Sequence, residues 1–432
     1  MFKLDNKSNL IGILNKKKKY VLYMFLVGCS ALLSFSKFVL FANILGPSSF
    51  GTYSLVLTSY IFILYIGSLG LNEAVLKLGG VSFSKNNGAE FMRMRDLALF
   101  FGSLSLIIVS LIGYIVSMLL LEDQLIAVFL FSGLMAIVAF QFNILDSYFR
   151  SQQKIIVFSA MLFFKSCLLL VMGVFGAELY GVNGVLLSEL ASFLIVFVLF
   201  LYYSGWGGIP RLAGAWRDFK TLVSNGFLML SSMFLRMLAV LMDRWAISMT
   251  LGVSSVGKYS FLMIFFQLGI ILLALLTNVL GPRWLANYGK TGDADTLITS
   301  INSRCRMILL VATVLAVPLY LIFPYVMELN FPEYYDEDFI YSATCIYLGV
   351  TILCCTYLYD WLFIAVSREK LLTRISVVVL LSSFLGILVV WPEPSLLKFT
   401  LLFLFIRCLT AGMYIFVIKN VLSDLRYSQA LR

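Results

Sequence analysis

After the tract NKKKKY, residues 15–20, the chain stays apolar from Tyr20 to about Leu45, with Lys37 as its single charge. A helix rises about 1.5 Å per residue and the hydrocarbon core of a bilayer is about 30 Å thick, so roughly 20 such residues cross it. Runs of this length recur to the end of the sequence. With no water to satisfy backbone groups, a spanning segment must hydrogen-bond internally, which leaves helices or closed barrels. Runs this long and continuous demand helices. The composition agrees: 61% hydrophobic, 12% charged and a mean hydropathy of +0.98, against about 45–50% and 25% in soluble domains. No small-residue cleavage site closes the first run, so it is expected to stay as the first spanning helix and not to act as a cleaved leader.

Apolar runs between charged breaks give about twelve spans, near 20–45, 54–76, 97–121, 126–148, 155–176, 181–203, 219–251, 260–285, 306–327, 339–366, 371–391 and 396–422. An even number puts both termini on one side. One set of connections carries NKKKKY, KNNGAEFMRMRD, RSQQK, PRLAGAWRDFK, KTGDADTLITSINSRCR and SREKLLTR, and with them most of the 32 Lys and Arg residues. The opposite set holds only Lys258 and Lys398, beside the acidic MELNFPEYYDEDF. Basic loops stay cytoplasmic, so both termini are expected inside. The net charge of +10 follows from this asymmetry and from contact with anionic lipid, not from nucleic-acid binding.

Catalytic and metal chemistry find little support. The chain has no histidine, which removes the commonest general base and metal ligand. Its seven cysteines, at 29, 167, 305, 345, 354, 355 and 408, all but Cys305 within expected spans, read as small core residues. No zinc spacing, Gly-rich phosphate loop or nucleophile motif occurs. No enzyme, metal or cofactor is expected.

The decapeptide LGPSSFGTYS at 45–54 returns as LGVSSVGKYS at 251–260, with seven of ten positions identical. The first joins spans one and two and the second joins spans seven and eight. They hold corresponding places in two six-helix halves. With an even number of spans each, the halves are parallel repeats. The expected organisation is an N-terminal bundle over 1–203, a cytoplasmic connection over 204–218 and a C-terminal bundle over 219–432. Gly, Pro and Ser suit a tight turn there, and the tyrosine suits an interfacial anchor.

Charges within spans narrow the search for a site, because each costs about 2.5–3.5 kcal/mol at the centre of a helix and so faces a partner or a cavity. The cations are Lys37, Lys165, Arg236, Arg244 and Arg407; the anions are Glu189, Asp243 and Asp360. Lys165 and Glu189 lie at similar depth on a helical hairpin and are expected to pair. Asp243 stands beside Arg244 and two turns from Arg236, so it pairs with one of them. Asp360 is near the cytoplasmic end of its span and is either solvated or paired. That leaves Lys37, Arg407 and one of Arg236 or Arg244 in excess. Lys37 is close enough to the outer end to snorkel, or it joins the arginines in a cavity. Such a cavity attracts phosphate, Arg by its bidentate fork and Lys as a point charge. Pro318 and Pro324 are placed to bend the ninth span.

Three stretches carry a family resemblance: FANILGPSSFGTYSLVLTSYIFILYIGSLGLNEAVLK, ILDSYFRSQQK and DRWAISMTLGVSSVGKYSFLMIFFQLG. With the span layout, the chain resembles the Wzx-type polysaccharide-unit flippases, in the polysaccharide transporter branch of the MOP superfamily that also holds the MATE exporters. The resemblance implies an all-α fold of two six-helix lobes around a central cationic vestibule. It implies movement of undecaprenyl-diphosphate-linked oligosaccharides from the cytoplasmic to the periplasmic leaflet of a bacterial inner membrane, for O-antigen or related surface polysaccharide. Arg236, Arg244, Arg407 and Lys37 would then hold the diphosphate or an acidic sugar. Asp243, Glu189, Lys165 and Asp360 would serve as ion-coupling groups, with a proton or sodium gradient, or as salt-bridge partners. Implied partners are the lipid-linked oligosaccharide, membrane lipids, a polymerase and a chain-length regulator. A MATE-like drug exporter, an oligosaccharide polymerase and a membrane scaffold are the alternatives. The exporter wants unpaired acids, the polymerase a long outer loop, and the scaffold no buried charge.

Overall fold

The structure is a computed structural model and describes residues 5–84, 88–120, 123–205, 214–291, 293–366 and 368–430. These form α1 Asp5–Gly67, α2 Leu71–Ser84, α3 Gly88–Leu120, α4 Asp123–Ser151, α5 Ile155–Ser204 and α6 Ala215–Leu251. There follow α7 Val253–Thr291, α8 Ala294–Leu321, α9 Phe323–Asn330, α10 Phe339–Ala365, α11 Glu369–Val390 and α12 Leu396–Ala430. Among the described residues eight helices are long and apolar enough to cross a membrane: α1, α3, α4, α5, α8, α10, α11 and α12. The chain is thus an all-α multispan protein, and eight such helices, two of them double-length, stand among the described residues where twelve spans were expected. Two of the eight stretches, Val21–Gly67 and Ile155–Ser204, are 47 and 50 residues long, about 70 Å or more at helical rise.

Both double-length helices break at a glycine. In α1 the break is Gly46, at φ 70° and ψ 172°, followed directly by Pro47. Glycine takes the left-handed φ without a Cβ clash, and proline, lacking an N–H, suits the first turn of the next helix. The turn expected over 45–54 is therefore one residue wide, and the rest of the decapeptide is helical. Its repeat breaks at the matching place: Gly252 has φ 83°. In α5 the break is Gly181, at φ 59° and ψ −138°. There the chain doubles back, since the Ser188 hydroxyl donates to the Met172 carbonyl at 2.9 Å across sixteen residues.

The described residues divide into two compact units, residues 1–45 with 55–230 and residues 46–54 with 231–432. The division falls inside α6 rather than in the connection at 204–218, of which residues 206–213 lie outside the described residues. In the first unit α3 pairs with α4, α4 with α5, and α2 packs on both. Its core is aromatic, with Phe91, Phe140, Tyr148 and Phe149 buried and the Phe91 and Tyr148 rings stacked at 4.8 Å. In the second unit α10 is central, packing against α7, α8 and α12, while α11 packs on α12. Pro318 lies in α8 and Pro324 opens α9, and the helix changes direction between them at Ile322. Large apolar side chains point outward, among them Leu310 at 65% and Val389 at 79% exposure, as a hydrocarbon surrounding requires.

Candidate functional site

Each unit buries some of the charges expected within spans. In the first, Lys37 on α1 donates to both carboxylate oxygens of Glu189 on α5, at 3.1 and 3.2 Å. Both side chains are buried. Lys165 sits over the Phe193 ring at 3.7 Å and that of Phe142 at 5.7 Å, within electrostatic reach of Glu189 and Lys37. The expected hairpin pair is thus replaced by a pairing with α1. Depth along a helix fixes height and not direction. Ser188 already faces the other limb of α5 through Met172, and Glu189, about 100° further round the helix, faces α1. Lys37, expected in excess, has a partner. The cluster of two cations and one carboxylate keeps one positive charge.

In the second unit, Arg236 bonds Asp360 at 2.6 Å, and the Tyr414 hydroxyl donates to the other carboxylate oxygen at 2.5 Å. Of the two readings of Asp360 the structure shows the paired one, with its side chain 14% exposed. Asp243, open to either Arg236 or Arg244 in the sequence, is buried and accepts from the Tyr259 hydroxyl at 3.3 Å. Arg244 turns the other way, its Nε donating to the Ser260 hydroxyl at 3.2 Å. Arg407 lies within electrostatic reach of Asp243. Its guanidinium rests on the Phe403 ring at 4.7 Å, and Gly349 leaves space for both side chains. The residue is 7% exposed, and its Nε is buried with no hydrogen-bond partner among the described residues.

With Arg236 and Asp360 neutralising each other, Asp243, Arg244 and Arg407 keep one positive charge. A buried guanidinium N–H without an acceptor leaves its desolvation uncompensated, about 1–3 kcal/mol and more for a charged group. An incoming anion supplies the acceptor, through charge-assisted and, for Arg, bidentate bonds. The arrangement suits an anion and contains no nucleophile with a base beside it. No group of three or more His, Cys, Asp or Glu residues is placed to hold a metal among the described residues. An apolar cavity of about 560 Å³ among α8, α9 and α10, lined by Val317, Tyr320, Phe323, Pro324 and Tyr347 among others, touches none of these charges.

Several buried polar side chains escape sequence reasoning. Tyr53 and Tyr259, expected as interfacial anchors, are 0% and 1% exposed. The 206-residue offset of the repeat was the available signal: it aligns Tyr53 with Tyr259 and also Lys37 with Asp243. One buried site thus carries opposite charges in the two copies. Arg95, counted among cytoplasmic loop charges, is fully buried and bonds Asp96, the Ser204 hydroxyl and the Gly205 carbonyl at 2.7–2.8 Å. Glu73 Oε2 and Asp146 Oδ1 are buried without a hydrogen-bond partner among the described residues.

Residues 40–337 match the family described as polysaccharide biosynthesis protein. The chain belongs to that family. No curated protein sequence matches it. Its fold is similar to that of solved MOP superfamily proteins. A multidrug resistance MATE family transporter in an inward-facing conformation aligns over 94% of this chain and 99% of its own, at 13% identity and TM-score 0.73. The lipid II flippase MurJ, inward closed, aligns over 92% and 87%, at 14% identity and TM-score 0.75. A MOP superfamily transporter from Pyrococcus furiosus, described with a binding pocket of reversed polarity, aligns over 94% and 95%, at 12% identity and TM-score 0.61. All three are described as transport proteins.

Proposed function

We propose that this protein is a flippase for diphosphate-linked lipid oligosaccharides of the Wzx type. It lies in a bacterial cytoplasmic membrane with both termini inside and works by alternating access of two six-helix lobes. The observation that carries the reading is the buried arginine site of the second unit, with one net positive charge and the Arg407 Nε without an acceptor. Membership of a polysaccharide biosynthesis family supports a glycan-linked substrate, and the MOP fold supports transport. In this reading Arg407 and Arg244 hold the diphosphate, Asp243 limits the excess charge so that the anion is released, and the glycan passes while the lipid tail stays in the bilayer. Arg236 and Lys37 act through their partners Asp360 and Glu189 rather than as free cations. No bond is made or broken. A proton or sodium gradient drives the cycle. Among the described residues, Glu73 and Asp146 each keep one buried oxygen without a hydrogen-bond partner, Asp146 also pairing with Arg150, and Glu189, Asp243 and Asp360 accept hydrogen bonds.

The test is the sidedness of lipid-linked oligosaccharide in cells lacking the protein, read by lectin or glycosidase access in spheroplasts. The proposal expects units trapped on the cytoplasmic leaflet. Single, unpolymerised units on the outer leaflet would refute it and indicate a polymerase.

A further inference from the structure

The two copies of the repeat touch each other. Residues 46–54 pack within the second unit, and the contact follows the 206-residue offset of the repeat itself. A methyl group on Gly51 would collide with the Val253 carbonyl oxygen, and one on Gly257 with the Pro47 carbonyl oxygen. Gly51 and Gly257 are repeat equivalents, as are Pro47 and Val253, so each copy presents its glycine to the same atom of the other. The equivalent pair Ser54 and Ser260 meet directly, with Ser54 donating to Ser260 at 2.6 Å, both buried. Phe50 closes one flank against Phe261 and Tyr334. Backbone-to-backbone approach of this kind, permitted only by glycine, is how membrane helices associate closely. Ser260 also accepts from Arg244 Nε. A chain of hydrogen bonds therefore runs from the anion site to the seam between the copies.

We propose that this seam is the outer seal of the transport path, and that Arg244 links its opening to anion binding. When a phosphate engages Arg244, the guanidinium turns from Ser260 and the seam loses one of its buried hydrogen bonds. The seal then parts between two flat glycine faces. The inference rests on the flippase reading for its ligand and its sidedness, but not for the seal itself.

The experiment places Ser54→Cys in the full-length protein in proteoliposomes and measures its labelling by a membrane-impermeant maleimide, mapped by mass spectrometry to separate it from the native cysteines. The probe lipid is undecaprenyl diphosphate. Labelling is expected to be slow alone and about tenfold faster at saturating lipid, the worth of roughly one buried hydrogen bond. Adding Gly257→Ala, which prevents closure, should make labelling fast without lipid. Adding Arg244→Gln should abolish the response at saturation, whereas Arg407→Gln should only raise the lipid concentration needed. Slow labelling in the Gly257→Ala variant overturns the seal. A full response in the Arg244→Gln variant overturns the link, as does lipid that binds the parent without opening it. Lipid that does not bind at all refutes the diphosphate reading and the link with it, while the glycine variant still decides the seal.

Discussion

Replacing Arg407 by Gln separates a binding role from a structural one, because the two predict opposite effects on stability. The side chain is 7% exposed, its Nε has no hydrogen-bond partner among the described residues, and its visible support is the Phe403 ring at 4.7 Å. Losing that cation–π contact costs about 0.5–2 kcal/mol. Removing a buried charge relieves about 2.5–3.5 kcal/mol on insertion scales, less what Asp243 already recovers. The two nearly cancel, so the midpoint of thermal unfolding in detergent should stay within a few degrees. Binding should not. One charge-assisted contact is worth about 1.5–3 kcal/mol, and 1.4 kcal/mol is tenfold. The affinity for undecaprenyl diphosphate in nanodiscs should therefore fall by roughly 10- to 140-fold. Arg407→Lys keeps the charge but not the fork and should fall between. Unchanged affinity, or a weakening matched by loss of the folded protein, would refute the reasoning.

Other substitutions test the packing. Glu189→Gln leaves Lys37 buried against a neutral amide and should destabilise by about 3–5 kcal/mol, while Lys37→Met with Glu189→Leu should recover most of it in thermal unfolding. Arg95→Gln breaks a fully buried network reaching Asp96, Ser204 and Gly205 and should cost a similar 3–5 kcal/mol, seen as loss of membrane-inserted protein. Gly181→Ala meets nothing within 4 Å and should cost only the strain of a backbone conformation that is essentially glycine's own, about 1–3 kcal/mol. Gly184→Ala collides with the Gly176 backbone and should cost more; equal effects on unfolding would contradict the doubled-back path of α5.

The sequence determined that the chain is a bundle of spanning helices, because hydrophobic length is a local property that any segment declares alone. It also marked LGPSSFGTYS and LGVSSVGKYS as turns, since Gly, Pro and Ser repeated in one context report a backbone need; that Gly46 and Gly252 are the breaks came from the structure. It singled out the charges within spans, because an intramembrane charge stands out against its neighbours whatever it faces. Only the tertiary structure decided which charges pair. Lys165 and Glu189 matched in height, yet Glu189 turns to Lys37, and Asp243 meets Tyr259 instead of the adjacent Arg244 or the distant Arg236. Height follows from counting residues along one helix, whereas partnership depends on the rotation of that helix against others, and rotation is set by packing over the whole core. The same holds for the seam: two copies of LG-x-SS-x-G are legible as a repeat, but that Gly51 and Gly257 face each other's carbonyls is a fact of assembly.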